Sequence, residues 1–211
     1  MSSLRLNDIW RSVNEEIGFF TTETFKNISP SPGVYAWFYP LRIVTKNLDE
    51  FINQVDVVLN YDCETKGIPK KNNFINFSWD SLHQQIEIKT KIIDLTAFKK
   101  VWDDIIKKEN EFDELRKVIM RSSIFLPPLY VGKTNNLYKR CQEHINGNLK
   151  DNNFHNRFEK YATDNNFAAK KVSDLLFVTI KTSKNNQQKI NTESLVEAIL
   201  KYLSKPKYSK I

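Results

Sequence analysis

The sequence predicts an α/β protein of the α+β kind, a small mixed or antiparallel sheet of about three core strands flanked by helices. Three observations predict it. Short β-rich stretches stand at 33–40, 129–132 and 175–180. Stretches with apolar residues at helical spacing lie between and after them. Prolines at 30 and 32, and again at 127 and 128, punctuate the chain directly before the first two strands.

Taken in order, Asn7 to Ile17 suits a short amphipathic helix, with Ile9, Trp10, Val13 and Ile17 in register and Asn7 or Asp8 available as a cap. Gly33 to Pro40 is aromatic and β-rich and is expected as a strand. Alternation puts Val34, Ala36 and Phe38 on one face, expected to be the buried one, and Gly33, Tyr35 and Trp37 on the other. From Leu41 to about Leu126 the character changes. A helix is expected over Leu48–Tyr61, short strands over Phe74–Phe77 and Gln85–Lys91, and one long helix or two over Asp94–Ile119. The strand Leu129–Gly132 turns Tyr130 and Gly132 to one side and Leu129 and Val131 to the other. Helices are expected over Asn136–Ile145, Asn153–Ala162 and Thr192–Leu203, with the strand Leu175–Ile180 before the last of them.

A chain of 211 residues with 40% hydrophobic content fits one domain, or one domain with a large insertion. There is no run of about 18 apolar residues to cross a membrane, and Met1–Asp8 turns polar too soon for a signal peptide. A cytoplasmic protein is expected. Cys63 and Cys141 lie far apart without metal-type spacing and read as reduced thiols. The net charge of +7 is unevenly placed: residues 128–211 hold 15 basic against 7 acidic side chains, and residues 1–127 hold 17 against 18. A basic excess confined to the C-terminal part favours a polyanionic partner, usually nucleic acid.

That basic part opens with Leu129–Gly132, a glycine turn, and a helix on which Arg140 and His144 sit four apart and so share a face. A strand end, a turn with backbone N–H groups and a guanidinium form a phosphate-handling corner. Gly132-Lys133-Thr134 has the ending of a nucleotide-binding P-loop, but the first glycine of that pattern would fall at Pro127, so that reading fails.

Gly33-Val34-Tyr35 and Tyr130-Val131-Gly132 together resemble the paired signature of the GIY-YIG nuclease family. Lys133-Thr134, Asn136-Leu137, Arg140 and His144 continue the resemblance through its strand–turn–helix segment. Glu197-Ala198-Ile199-Leu200-Lys201 followed by Pro206-Lys207-Tyr208 resembles its terminal helix. Family members usually join the two signature strands by a short hairpin. Here some ninety residues intervene, so the resemblance implies a nuclease core over 1–40 and 127–211 and a mainly helical inserted subdomain over 41–126. Loop closure makes such an insertion tolerable when its ends lie close together.

The resemblance implies a metal-dependent endonuclease acting on DNA, double-stranded, with Mg²⁺ as cofactor and Mn²⁺ as a substitute. It implies Tyr35 as general base, Tyr130 as phosphate or water positioner, Arg140 as charge clamp and Glu197 as metal ligand, with Gly33, Gly132 and Asn136 shaping the backbone around the phosphate. Lys133 and His144 are alternative carriers of the proton. Tyrosine is a poor base at neutral pH unless cations lower its pKa. Two features leave alternatives open. Ser194-Leu195-Val196-Glu197 also fits a capping box, which would make Glu193 the ligand instead. Ser209 stands where the family often has Asn, a shorter group without the amide's donors. The competing class is a DNA- or partner-binding module of the same fold without catalysis. The insertion, with 14 basic and 14 acidic residues, reads better as a surface for a protein partner or a shield than as a DNA clamp.

Overall fold

The structure, a computed structural model, describes residues 16–59, 73–79, 82–88, 96–147, 153–182, 192–204, 206, 208 and 209. Its main sheet has four strands, all antiparallel to their neighbours, in the order β1-β6-β2-β5. They are β1 (Ile17–Phe20), β2 (Gly33–Phe38), β5 (Tyr130–Thr134) and β6 (Leu176–Lys181). To the three strands expected, β1 adds a fourth. Most of the helix expected over Asn7–Ile17 lies outside the described residues, but Ile17 opens a strand, with Ile17 opposite Ile180 and Phe20 opposite Phe177. Helical periodicity cannot register a partner strand that far along the chain.

Central strand β2 is bordered by both β5 and β6, with Tyr35 opposite Gly132 on one side and Thr179 on the other, and Trp37 opposite Tyr130 and Phe177. The two signature strands therefore lie side by side despite their separation in sequence. Helices α4 (Leu137–Asn146) and α5 (Asn153–Asp164) belong to the Tyr35 side of the sheet. There Tyr35, Trp37, Leu137, Cys141, Phe154, Phe158 and Phe177 form the main core. This corrects the expectation that the aliphatic side of β2 is the buried one. Val34 and Val131 are indeed buried, beneath α6 (Thr192–Ser204), which packs on β5 and β2. A central strand covered on both faces has no solvent side, and the aromatic side carries the larger apolar area.

Strand β5 is the sheet's outer edge, and an edge exposes unpaired backbone groups. The C-terminal tail covers it. Tyr208 N–H donates to Leu129 C=O at 2.9 Å. Ser209 Oγ accepts from Val131 N–H at 2.8 Å and donates to Val131 C=O at 3.0 Å. Ser209 thus satisfies both main-chain groups of one edge residue.

Residues 41–126 hold α1 (Leu48–Leu59), a hairpin of β3 (Asn73–Trp79) and β4 (Leu82–Ile88), α2 (Thr96–Ile105) and α3 (Glu109–Arg121). The helical stretch after the hairpin is two helices, not one. The helices build a second cluster of buried apolar residues, Ile43, Leu48, Phe51, Trp102 and Phe112. Phe51 stacks on Trp102 with ring centroids 5.9 Å apart, and Trp102 Nε1 donates to Lys46 C=O at 2.8 Å. The two ends of this stretch meet: Leu41 N–H donates to the buried hydroxyl of Ser123 at 2.8 Å, and Leu129 N–H donates to Trp37 C=O at 2.7 Å.

Candidate active site

The corner expected to handle phosphate lies where β5 runs into α4. Thr134 Oγ1 accepts from Asn136 N–H at 3.1 Å. Asn136 is the N-cap of α4, its Oδ1 accepting from Lys139 N–H at 2.9 Å, which supplies one of the acceptors that the backbone N–H groups of a helix start lack. The helix ends at Gly147, whose φ of +66° is the left-handed conformation that favours glycine. Between these stops Arg140 and His144 share one face, and that face meets β2.

The meeting point is the Tyr35 hydroxyl. Arg140 Nε donates to it at 3.0 Å, and His144 Nε2 lies 2.8 Å from it. A guanidinium can only donate, so the phenol oxygen accepts from Arg140; toward His144 Nε2 it donates in one imidazole tautomer and accepts in the other. His144 Nδ1 is buried and has no hydrogen-bond partner among the described residues. Tyr130 completes the group, stacked on Tyr35 with centroids 6.1 Å apart and edge-on to His144 at 5.2 Å. Gly132 makes room for it: a Cβ there would lie 2.6 Å from Tyr35 Cζ and 2.9 Å from Tyr130 Cε1. Gly33 is constrained too, since a Cβ would run into the backbone carbonyl of Ile180 and lie 3.0 Å from Leu137 Cδ1.

Burial sets the protonation states. Tyr35 is 2% exposed. Desolvation and the neighbouring Tyr130 push its pKa well above the ordinary tyrosine value, against the opposing pull of Arg140. Desolvation, the Arg140 charge and His155 push His144 down to about 3. At neutral pH the pair is therefore a neutral phenol and a neutral imidazole, not a solvated helix-end imidazolium. The phenol and the neighbouring groups raise the pKa of Arg140 despite its partial burial, so it stays cationic. Cys141 is buried beneath the same helix, its thiol pushed up to about 12, which leaves it inert. Cys63 lies outside the described residues.

Lys133 and Glu197 are not in this cluster. Alternation along β5 turns Lys133 away from Gly132, and its Nζ meets Ser194 Oγ on α6. Ser194 lies inside α6, two residues past its first, so it does not cap that helix and the capping-box reading of Glu197 falls. Glu197 pairs with Lys201 at 2.9 Å, with its side chain 16% exposed. Glu193 accepts from Thr182 Oγ1 at 2.6 Å, and this bond holds its carboxyl below the usual range. Among the described residues no three His, Cys, Asp or Glu side chains gather to hold a metal. A lone carboxylate such as Glu197 suits Mg²⁺, which keeps several waters and takes substrate phosphate oxygens as further ligands.

The residue that sequence reasoning missed is Glu143, and the contact it could not supply is that of Ser209 with Val131. Glu143 Oε2 accepts from Arg140 Nη1 at 3.1 Å. Its spacing of three from Arg140 was a visible signal, whereas the Ser209–Val131 clasp is a long-range contact with no local signature.

Residues 122–209 match the family model of the GIY-YIG catalytic domain. That stretch, less than half of the chain, holds Tyr130-Val131-Gly132, Arg140, His144 and Glu197, which carry the resemblance. The match begins after β2, so the strand carrying Tyr35 is joined to it by the sheet pairing rather than by the family model. No curated protein and no solved structure matches the chain. No helix among the described residues is long and apolar enough to cross a membrane.

Proposed function

We propose that this protein is a metal-dependent endonuclease that hydrolyses DNA phosphodiester bonds, with residues 1–40 and 127–211 as its core and 41–126 as an insertion. The observation that carries this reading is the Tyr35 hydroxyl held at once by Arg140 Nε and His144 Nε2. A phosphodiester resists attack because its charge repels nucleophiles, and charge then builds on the phosphoryl and leaving oxygens. Arg140, partly exposed and permanently charged, is suited to bind those oxygens. Tyr35, with its raised pKa, is no free phenolate. Its use as a base is as a relay: the phenol oxygen takes the proton of the attacking water while its own proton passes to His144 Nε2. The phosphate's negative charge at Arg140 favours the imidazolium so formed. Tyr130 packs beside this pair. Lys133, turned to α6, is less suited than His144 to receive that proton.

Glu197 is the residue proposed to hold Mg²⁺, for which Mn²⁺ can substitute. Held there, such a metal would supply Lewis-acid stabilisation of phosphate oxygens. The basic C-terminal part, 15 Lys and Arg against 7 Asp and Glu, supports a nucleic-acid substrate, taken to be duplex DNA. The balanced charge of 41–126 supports a protein partner there. A cytoplasmic location is part of the same proposal.

Deep burial of Tyr35 favours one rival, a binding module in which the Tyr35–His144 pair only supports the core. Mg²⁺-dependent nicking of supercoiled plasmid separates the two. On the nuclease reading, Tyr35→Phe and Glu197→Ala each lower nicking by about a hundredfold or more while the fold survives. Wild-type protein that binds DNA but never nicks it establishes the binding module. Loss in Glu193→Ala with none in Glu197→Ala moves the metal ligand one turn earlier.

A further inference from the structure

We infer that Glu143 is a positioning residue for Arg140, holding the guanidinium against the Tyr35 hydroxyl and aligned for a phosphate. The inference rests on the nuclease reading for its consequence, but its geometry stands on this structure alone. The guanidinium is fixed at two points that lie on different edges of its plane: Nε on Tyr35 Oη at 3.0 Å and Nη1 on Glu143 Oε2 at 3.1 Å. These bonds use two of its five N–H groups and leave the rest for an anion. Arg140, Glu143 and His144 occupy positions i, i+3 and i+4 of α4, so one helical turn presents the clamp, its holder and the relay imidazole together.

An ordinary surface ion pair at this spacing positions nothing, because both side chains are solvated and free to part. Here the side chains are only 27% and 26% exposed, and the arginine is already anchored in the core by Tyr35. The exposed pairs on α3 provide the contrast: Arg116–Asp113 and Lys117–Glu114 have the same spacing, but their side chains are about half exposed or more. Glu143 is also approached from solvent by Lys139, 4.0 Å from its other oxygen. The carboxylate thus sits beside the group that would receive phosphate. Its charge opposes DNA binding while its oxygen orders the clamp, and these two effects act on different kinetic constants.

Two variants and two readouts test this. Glu143→Ala removes both the acceptor and the charge, and Glu143→Gln keeps an acceptor oxygen and removes only the charge. The expected result for Glu143→Ala is a fall in kcat of about ten- to a hundredfold with KM for DNA unchanged or lower. Glu143→Gln should restore most of kcat and keep the lower KM. In ¹⁵N-labelled protein without DNA, the Arg140 Nε–H resonance should exchange slowly with solvent in wild type and Glu143→Gln, and quickly in Glu143→Ala. An unchanged Arg140 resonance in Glu143→Ala overturns the proposal whatever the nicking result. So does a fall in kcat that Glu143→Gln does not rescue. If wild-type protein fails to nick DNA, the nuclease reading falls, and the resonance still decides the positioning role.

Discussion

The ring of Tyr35 lies across its cross-strand partner Gly132, so closely that a Cβ at 132 would stand 2.6 Å from Tyr35 Cζ. The missing side chain on one strand is the space that the tyrosine ring of the other one fills. Tyr35 cannot swing aside, because Arg140 and His144 hold its hydroxyl and Tyr130 and Phe177 lie against its ring.

Gly132→Ala should therefore destabilise the protein by about 1–3 kcal/mol, as overpacking does in a filled core. This outweighs the gain of about 0.5–1 kcal/mol that Ala normally has over Gly inside a strand. Urea unfolding measures it, and a midpoint at or above wild type would show that the ring has room to move.

The buried His144 predicts acid sensitivity. Its folded pKa of about 3 lies below the ordinary value of 6.5. Between those values the unfolded chain takes up a proton that the folded chain refuses, so stability is full above about pH 6.5 and is lost as pH falls. The slope from this one group approaches about 1.4 kcal/mol per pH unit. His144→Gln, which cannot titrate but can still accept from Tyr35, should flatten the profile between pH 6 and 4. Equal slopes in the two proteins would mean that His144 is already charged in the fold.

Ser209 should matter for stability rather than for chemistry. Ser209→Ala removes one accepted and one donated bond at Val131 and should cost about 1–2 kcal/mol. Ser209→Asn places an amide that can also accept and donate, and should lose less. Hydrogen exchange at the Val131 amide provides the direct reading: it should quicken in Ser209→Ala and stay protected in Ser209→Asn.

Much of the fold was legible in the sequence because it is local. The helix over Leu137–Asn146 was expected over Asn136–Ile145 from helical periodicity. Asn153–Asp164 and Thr192–Ser204 follow from the same periodicity. The shared face of Arg140 and His144 is a property of helix geometry, and the contacts at the Tyr35 hydroxyl show that face in use. Strand β1 was not legible, since four residues carry too little pattern and are held by pairing with Phe177 to Ile180.

The sequence by itself determined which side chains share a face and where the chain must turn. Alternation and helical repeat follow from backbone geometry within a few residues, so they can be read without a partner. Only the tertiary structure decided that the aromatic face of β2 is the deeper core, that Glu143 grips Arg140, and that Glu197 stands apart from Tyr35. It also decided the charge states. Desolvation by Trp37, Phe154 and Phe177, which come from three separate elements, keeps Tyr35 and His144 neutral, and burial of that kind exists only once distant segments have packed.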